Sequence, residues 1–156
     1  MTADFTISRL TDTQRIGELH ALVTGAFRNL QIDPPSGVLK ETEGDFLDRL
    51  KSEIVLVAER DADLIGGVFC ASRPDSLYVG RLAVRGDVRR LGVASGLLDA
   101  AKDEALRLGK NKVALSTRVS LTSNIALFSK HGFVMVAETC HPGFLQPTSW
   151  DMELRL

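Results

Sequence analysis

Apolar residues recur along this chain at two spacings, one typical of β-strands and the other of amphipathic helices. Alternating or continuous apolar runs predict seven strands, at residues 4–10, 54–59, 64–72, 77–84, 112–119, 133–137 and 149–156. Apolar residues three and four apart predict four helices, at about residues 12–27, 46–52, 91–108 and 125–130. The order β-α-α-β-β-β-α-β-α-β-β is a mixed α+β pattern and differs from the regular alternation of a doubly wound fold.

The longest interruption of these patterns lies between the first two helices, at residues 29–44. Pro34 and Pro35, followed by Ser36 and Gly37, cannot continue a helix. A long irregular segment inside a small domain is often a binding loop or a lid. A solvated surface loop fits the same residues equally well, so both interpretations stay open.

The stretch from residue 78 to residue 98 joins a strand to a helix through a short basic turn. Such a turn points backbone N–H groups and the positive end of the helix at one place, which suits a phosphate or a pyrophosphate. Gly92 and Gly96 carry no side chain that would block a ligand, and Ala94 and Ser95 are small. An ordinary basic helix start is the alternative interpretation of this turn.

Two motifs connect this stretch to a protein family. The hexapeptide from Arg89 to Ala94 fits the pattern R-x-x-G-x-A, and the segment from Asn124 to Phe133 predicts a short helix that ends in glycine and phenylalanine. One predicted strand separates the two motifs. With these motifs and the element order above, the chain resembles the GNAT superfamily of N-acyltransferases over nearly its whole length.

The resemblance implies a single GNAT domain over residues 1–156, with a mixed, mostly antiparallel sheet of about seven strands flanked by about four helices. It also implies that the fourth and fifth strands splay apart into a V-shaped slot. Acetyl-CoA is the implied cosubstrate, with its pantetheine arm paired along Leu82, Ala83 and Val84. Its pyrophosphate is expected on the turn and helix start, at Arg89, Arg90, Leu91, Gly92, Val93, Ala94 and Ser95.

Three further residues are implied at the edges of the cofactor site. Arg85 is expected to reach the nucleotide end of CoA. Asn124 is expected to bond the CoA arm, because its amide both donates and accepts, and it is also a candidate helix cap. Phe128 occupies the position where many family members carry a tyrosine that protonates the leaving thiolate. Phenylalanine cannot donate a proton, so the usual acid is missing at this position.

The implied reaction is direct attack of an amine on the thioester of acetyl-CoA. The amine must be neutral to attack, and the oxyanion needs a donor such as the backbone N–H near Ala83 or Val84. Tyr78, which is the only tyrosine, and His141 in the penultimate loop are the candidates for proton transfer. An aromatic residue packed on the sheet and a turn histidine before proline are the alternative interpretations of these two side chains.

Other titratable groups carry smaller roles in this interpretation. His131 is expected at the surface, and Cys140 is expected to be a small packing residue rather than a nucleophile. Cys70 and Cys140 form neither a disulfide framework nor a metal-ligand spacing, so no metal is expected.

The amino-acid composition limits the classes of binding partner and the cellular locations that fit this chain. A chain of 156 residues with 44% hydrophobic and 25% charged residues is typical of a globular domain. The formal net charge of −1 argues against general nucleic-acid binding, and no apolar run is long enough to span a membrane. The N-terminal stretch lacks the pattern of a signal peptide, so a cytoplasmic protein is expected.

The expected acceptor is an amine of a small molecule, of an amino acid derivative or of a peptide. The acidic residues Asp33, Glu41, Glu43 and Asp45 hint at a cationic acceptor. A homodimer is expected from the resemblance.

Two other functions compete with the transferase interpretation. One is a CoA-binding regulatory or interaction module with little or no turnover, which the missing tyrosine favours. The other is a nucleotide binder, which the absence of a G-x-G-x-x-G turn disfavours.

Overall fold

The computed structural model describes residues 4–156, and within them it contains one seven-stranded sheet and four α-helices in the predicted order. The strands are β1 Thr6–Arg9, β2 Ile54–Arg60, β3 Asp63–Ser72, β4 Ser76–Val84, β5 Lys112–Arg118, β6 Val134–Thr139 and β7 Ser149–Arg155. The helices are α1 Ile16–Arg28, α2 Glu43–Ser52, α3 Val93–Arg107 and α4 Thr122–Lys130. Short 3₁₀ turns cover Thr13–Arg15, Gly37–Lys40 and Gly86–Val88.

Side-chain caps determine where the first two helices begin. Asp12 accepts a hydrogen bond from the backbone N–H of Gln14 at 2.9 Å and so starts the short turn that leads into α1. Thr42 and Asp45 form a capping box at α2, in which each side chain accepts from the other residue's backbone N–H. Because of this box, α2 begins at Glu43, earlier than its apolar residues predict.

The starts of the last two helices also differ from the predicted ones. α3 begins at Val93 because Gly92, with φ of 83°, has left-handed backbone and is the N-cap residue. α4 begins at Thr122, and its N-cap residue is Leu121. Asn124 therefore lies in the first turn of α4, and the alternative interpretation that it caps this helix is wrong.

The sheet has the strand order β1-β2-β3-β4-β5-β7-β6, and β4–β5 is its parallel pair within residues 4–156. This pairing runs only from Ser76 opposite Lys112 to Val79 opposite Leu115. β4 continues to Val84 and β5 to Arg118 without pairing to each other. The predicted V-shaped splay between the fourth and fifth strands is therefore confirmed.

A β-bulge lies where the two strands separate. Phe69 of β3 is opposite Gly80, whereas Gly67 is opposite Ala83, so Arg81 and the residue after it face a single residue of β3. Arg81 has φ of 55°, which is uncommon for a residue with a side chain. A bulge bends the strand that carries it and increases its twist. The bulge thus turns β4 away from β5 and opens the slot.

Helices cover both faces of the sheet. α3 and α4 bury one set of side chains against it, which includes Leu77, Val79, Leu97, Leu98 and Phe133. α1 and α2 bury a second set, which includes Leu19, Val23, Phe46, Val57 and Phe69. Gly66 of β3 lies against the start of α3, where a Cβ atom would be 2.7 Å from Cγ1 of Val93. The missing side chain lets the first turn of α3 pack directly against β3, beside the splayed strands.

An ion-pair network ties the segment after Pro34 to the bulge. Nε of Arg81 donates to Oε1 of Glu41 at 2.6 Å, and Nη2 donates to Oε2 at 3.1 Å. Arg49 of α2 donates to the same carboxylate and also to Glu53. Partial burial works against the charged carboxylate, but the hydrogen bonds from Arg81 and Arg49 outweigh it and lower the pKa of Glu41.

We expect Glu41→Gln to lower the free energy of unfolding at pH 7 by about 1.5–3 kcal/mol, because two guanidinium groups lose a charged acceptor. The pKa of Glu41 is lowered in the folded protein, so its contribution is present above the ordinary carboxyl pKa. The contribution is lost as the pH falls through the folded-state value. Urea unfolding of both proteins between pH 7 and pH 3 measures this difference, which should shrink in acid.

The matched control is Asp103→Asn, which removes an exposed carboxylate from α3. It should change the stability by less than about 0.5 kcal/mol. A stability difference between the wild type and Glu41→Gln that stays constant down to pH 3 would contradict this assignment.

Candidate active site

A cavity of about 830 Å³ lies where β4 and β5 diverge. Its floor is the second half of β4, and its walls come from the start of α3, the end of β5, the first part of α4 and the end of α1. The segment after α1 also contributes, through Leu30, Ile32, Ser36 and Val38. The long irregular segment therefore borders this cavity.

The turn before α3 forms one end of this cavity. Arg90 and Gly92 both have left-handed backbone, with φ of 72° and 83°. The first helical hydrogen bond of α3 runs from the N–H of Gly96 to the carbonyl of Gly92 at 2.9 Å. The N–H groups before Gly96 have no partner inside the helix, as at any helix start, and with the helix dipole they favour an anion here.

Most of the residues expected to bind the cofactor line this cavity. They are Leu82, Ala83, Val84, Arg89, Arg90, Gly92, Val93, Ala94, Ser95, Asn124 and Phe128. Leu91 does not line it, and that residue is 46% exposed to solvent. Arg85 also lies outside the lining, and its guanidinium is bound to Asp87, with Nε donating to Oδ1 at 2.6 Å.

His131 is not the surface residue that the sequence predicts. Its side chain is only 10% exposed, and its Nε2 lies 3.1 Å from Oγ of Ser95. Its Nδ1 lies 3.4 Å from Oδ1 of Asp99. The end of α4 is thereby bonded to the first turns of α3, and the Ser95 hydroxyl is held at the edge of the cavity.

Phe128 brings an apolar ring to the place where the family pattern has a proton donor. The ring is buried and meets Phe133 edge to face, with 6.1 Å between the centroids. A phenyl ring excludes water from the cavity but transfers no proton. Any acid or base for a reaction in this cavity must therefore come from another residue or from water.

Tyr78 and His141, the two candidates for proton transfer, both line the cavity. Tyr78 is half-buried, and the guanidinium of Arg73 lies 3.9 Å from the centroid of its ring. The backbone N–H of His141 donates to Oγ1 of Thr148 at 2.9 Å, and its ring Nδ1 is hydrogen-bonded to the same oxygen. Within residues 4–156, Nε2 of His141 has no partner and is the ring nitrogen available to a ligand.

Charge is distributed unevenly around the cavity. Its described lining holds Arg81, Arg89, Arg90 and Arg118 but no aspartate or glutamate. None of the acidic residues Asp33, Glu41, Glu43 and Asp45 lines it. Glu41 binds two arginines and Asp45 caps α2, so structural contacts occupy two of the four charges that hinted at a cationic acceptor.

The two cysteines have different surroundings, and neither lines the cavity. Cys70 is buried in the core, where desolvation raises the pKa of its thiol to about 12. Cys140 is exposed, so the prediction that it is a packing residue is wrong.

Residues 4–156 hold no group of three or more His, Cys, Asp or Glu side chains placed to bind a metal ion. None of the helices in that range combines the length and apolar character that crossing a membrane requires.

Comparisons with known proteins identify the class to which this fold and cavity belong. The acetyltransferase (GNAT) family model matches residues 18–133, which include both motifs. The chain therefore belongs to the GNAT family of acetyltransferases. No curated protein sequence matches it significantly.

Solved structures of similar fold include several acetyltransferases. The PaiA N-acetyltransferase from Thermoplasma acidophilum in complex with coenzyme A has a TM-score of 0.82 at 15% identity, covering 100% of both chains. The ribosomal-protein-S18-alanine N-acetyltransferase from Escherichia coli has a TM-score of 0.78 at 19% identity, covering 97% of this chain and 93% of its own. The yncA protein from Salmonella typhimurium with acetyl-CoA has 0.75 at 18% identity, with the same coverage. At these identities the similarity establishes the fold.

Proposed function

We propose that the protein is an acetyl-CoA-dependent N-acetyltransferase that moves the acetyl group to an amine of a small molecule or a peptide. The observation that carries this proposal is the continuity of one cavity. It extends from the anion-favouring start of α3, past the half of β4 that does not pair with β5, to Tyr78 and His141. A thioester and an amine can therefore meet in a ternary complex without an acyl-enzyme intermediate.

The cofactor is assigned to the part of the cavity between β4 and α3. The pantetheine arm pairs with the backbone of β4 from Leu82 to Val84, where β5 offers no partner. The pyrophosphate accepts from the N–H groups around Gly92 and from the Ser95 hydroxyl, which His131 holds in place. Structures of this fold that contain CoA or acetyl-CoA support the choice of cofactor.

The chemistry needs three groups besides the two substrates. A base takes the proton of the attacking amine, and Nε2 of His141 is the best-placed candidate. A backbone N–H of Ala83 or Val84 donates to the oxyanion. The leaving thiolate takes a proton from Tyr78 or from water, since Phe128 cannot supply one.

A second function, CoA binding without turnover, is favoured by one observation. Phe128 replaces the tyrosine of the family pattern, and its ring is packed against Phe133. Under this alternative the cavity still binds CoA but releases no thiol in the presence of amines. Both functions therefore predict CoA binding, but only the transferase predicts turnover.

A thermal-shift titration with acetyl-CoA, free CoA and NAD, followed by a thiol-release screen over amines, amino acids, polyamines and peptides, tests the proposal. We expect both CoA species to raise the melting temperature and NAD to leave it unchanged. Thiol release with one class of amine would support the transferase. Stabilisation without release for any amine would favour the binding module, and no stabilisation would contradict both functions.

A homodimer and a cytoplasmic location complete the proposal. β6 is an edge strand of the sheet and is exposed along its whole length. It carries Val134, Met135 and Val136, which are all exposed. An apolar unpaired edge of this kind favours pairing with a second chain, and size-exclusion chromatography with light scattering measures the result.

A further inference from the structure

Arg118 is a positively charged residue that lines the cavity. None of the proposed contacts with acetyl-CoA involves it. It is the last residue of β5, beyond the point where β5 and β4 stop pairing. Its Nη1 donates to the backbone carbonyl of Pro34 at 2.6 Å. Within residues 4–156, no carboxylate reaches ion-pair distance of its guanidinium. Arg118 is half-buried and lines the cavity.

The environment of Arg118 leaves its charge poorly compensated. Desolvation lowers the pKa of its guanidinium, and the Coulombic attraction of Asp33 offsets only part of this. An arginine stays charged under such a shift, so the free protein keeps the energetic cost of partly burying this charge. A bound carboxylate would relieve it through a charge-assisted and often bidentate pair.

The other arginines of the lining are assigned elsewhere. Arg81 is already paired with both carboxylate oxygens of Glu41. Arg89 and Arg90 lie at the start of α3, which is the end assigned to the pyrophosphate. Arg118 is therefore the arginine available to a second anionic ligand.

The wall nearest to the Pro34 segment is apolar. α1 and the segment after it contribute Ala26, Phe27, Leu30, Ile32 and Val38 to the lining. Apolar side chains of a ligand gain free energy by leaving water for such a wall. The described lining contains no carboxylate that would bind an ammonium group, so it disfavours a polyamine or another dicationic acceptor.

We propose that the acceptor is a small amino acid with an apolar side chain, and that its carboxylate pairs with Arg118 while its amine faces the thioester. This inference rests on the proposed function and names the substrate class of that site. The amine nitrogen bonds to the acetyl carbon as the carbon–sulfur bond breaks. The amine loses one proton to the base, the CoA thiolate gains one, and the products are an N-acetyl amino acid and free CoA.

The absence of carboxylates from the described lining also bears on the reaction at the nitrogen atom. The described lining contains no aspartate or glutamate that would pair with the ammonium form and stabilise it, so it does not oppose the neutral amine that attacks. The carboxylate holds the molecule in the cavity, so the nitrogen needs no negative partner to bind. The arrangement thus separates recognition, through the carboxylate, from reactivity, through the amine.

The test compares amino acids with their amides. Thiol release is measured for leucine, valine, methionine and phenylalanine and for the four matching carboxamides, which keep the amine and the side chain but lose the carboxylate. We expect kcat/KM for at least one acid to exceed that of its amide by about 10-fold to 100-fold, the usual range for a lost charge-assisted hydrogen bond. The amine of a carboxamide is the weaker base and is more often neutral. This difference in basicity favours the amides, so it cannot produce the expected preference for the acids.

Variants of Arg118 connect the preference to this side chain. Arg118→Met should lower kcat/KM for the preferred acid by about 10-fold to 100-fold and leave that for its amide within about 3-fold. Arg118→Lys keeps the charge and should retain part of the preference. Arg155→Met removes an exposed arginine outside the cavity and should change neither value. An unchanged thermal shift with acetyl-CoA shows that each variant is folded.

Equal use of acids and amides, or an equal loss for both in Arg118→Met, would overturn the inference while leaving the transferase function intact. If no amine gives thiol release, the proposed function fails, and ligand binding to the CoA-saturated protein decides the inference separately. In that case, stabilisation by an amino acid but not by its amide, lost in Arg118→Met, supports the carboxylate site. Absence of that pattern overturns it.

Discussion

Gly92→Glu should raise the dissociation constant for acetyl-CoA by at least about 100-fold, which corresponds to ~2.8 kcal/mol. Gly92 is the N-cap residue of α3, and it is exposed at the end of the cavity where unpaired N–H groups favour an anion. A glutamate at this position places a negative charge beside the pyrophosphate and can itself occupy the helix start. Isothermal titration calorimetry with acetyl-CoA measures the change.

The main competing explanation for such a loss is a backbone effect, since Gly92 has φ of 83° and any side chain there is strained. Gly109 provides the matched control. It follows α3 at its other end and has φ of 71°, and a Cβ atom added there would meet open space, as it would at Gly92. Gly109→Glu should therefore show a similar strain of about 1–2 kcal/mol without loss of acetyl-CoA binding. Equal loss of binding in both variants would mean that the turn before α3 does not hold the cofactor.

The cofactor end of the cavity could be predicted from the sequence because its parts are contiguous in the chain. The strand, the basic turn, Gly92 and the helix start follow one another within about twenty residues, so local backbone preferences determine their geometry. The element order could be predicted for the same reason, because the apolar spacing reports which face of each strand or helix is buried. The strand bounds and helix ends differed by no more than two residues, and the larger differences are at helix starts.

The long-range contacts around the cavity could not be predicted in this way, because each of them joins distant parts of the chain. Arg81 and Glu41 are 40 residues apart, Ser95 and His131 are 36 apart, and Arg118 and Pro34 are 84 apart. No spacing rule covers such pairs, and each depends on the tertiary fold. For this reason the acidic segment suggested a cationic acceptor, whereas the folded chain uses Glu41 internally and leaves Arg118 facing the cavity.

His141→Ala should lower kcat by about 10²-fold to 10⁴-fold, the usual contribution of a positioned acid or base, with little change in acetyl-CoA affinity. Nδ1 of His141 is hydrogen-bonded to Oγ1 of Thr148, and in the tautomer whose Nδ1–H donates to that oxygen, Nε2 carries the lone pair that takes the proton of the amine. Thr148→Val should lower kcat by about 10-fold, because the imidazole remains but loses the group that orients it. Tyr78→Phe keeps the ring under Arg73 and removes only the hydroxyl.

Measuring kcat and the acetyl-CoA dissociation constant for these three variants separates the roles of Tyr78 and His141. A large kcat loss in His141→Ala, with a smaller one in Tyr78→Phe, places the base at His141 and leaves protonation of the thiolate to Tyr78 or water. The reverse order would assign the main proton transfer to Tyr78. If neither variant lowers kcat, both assignments are wrong. In that case water performs the proton transfers, and the cavity accelerates the reaction by positioning the two substrates.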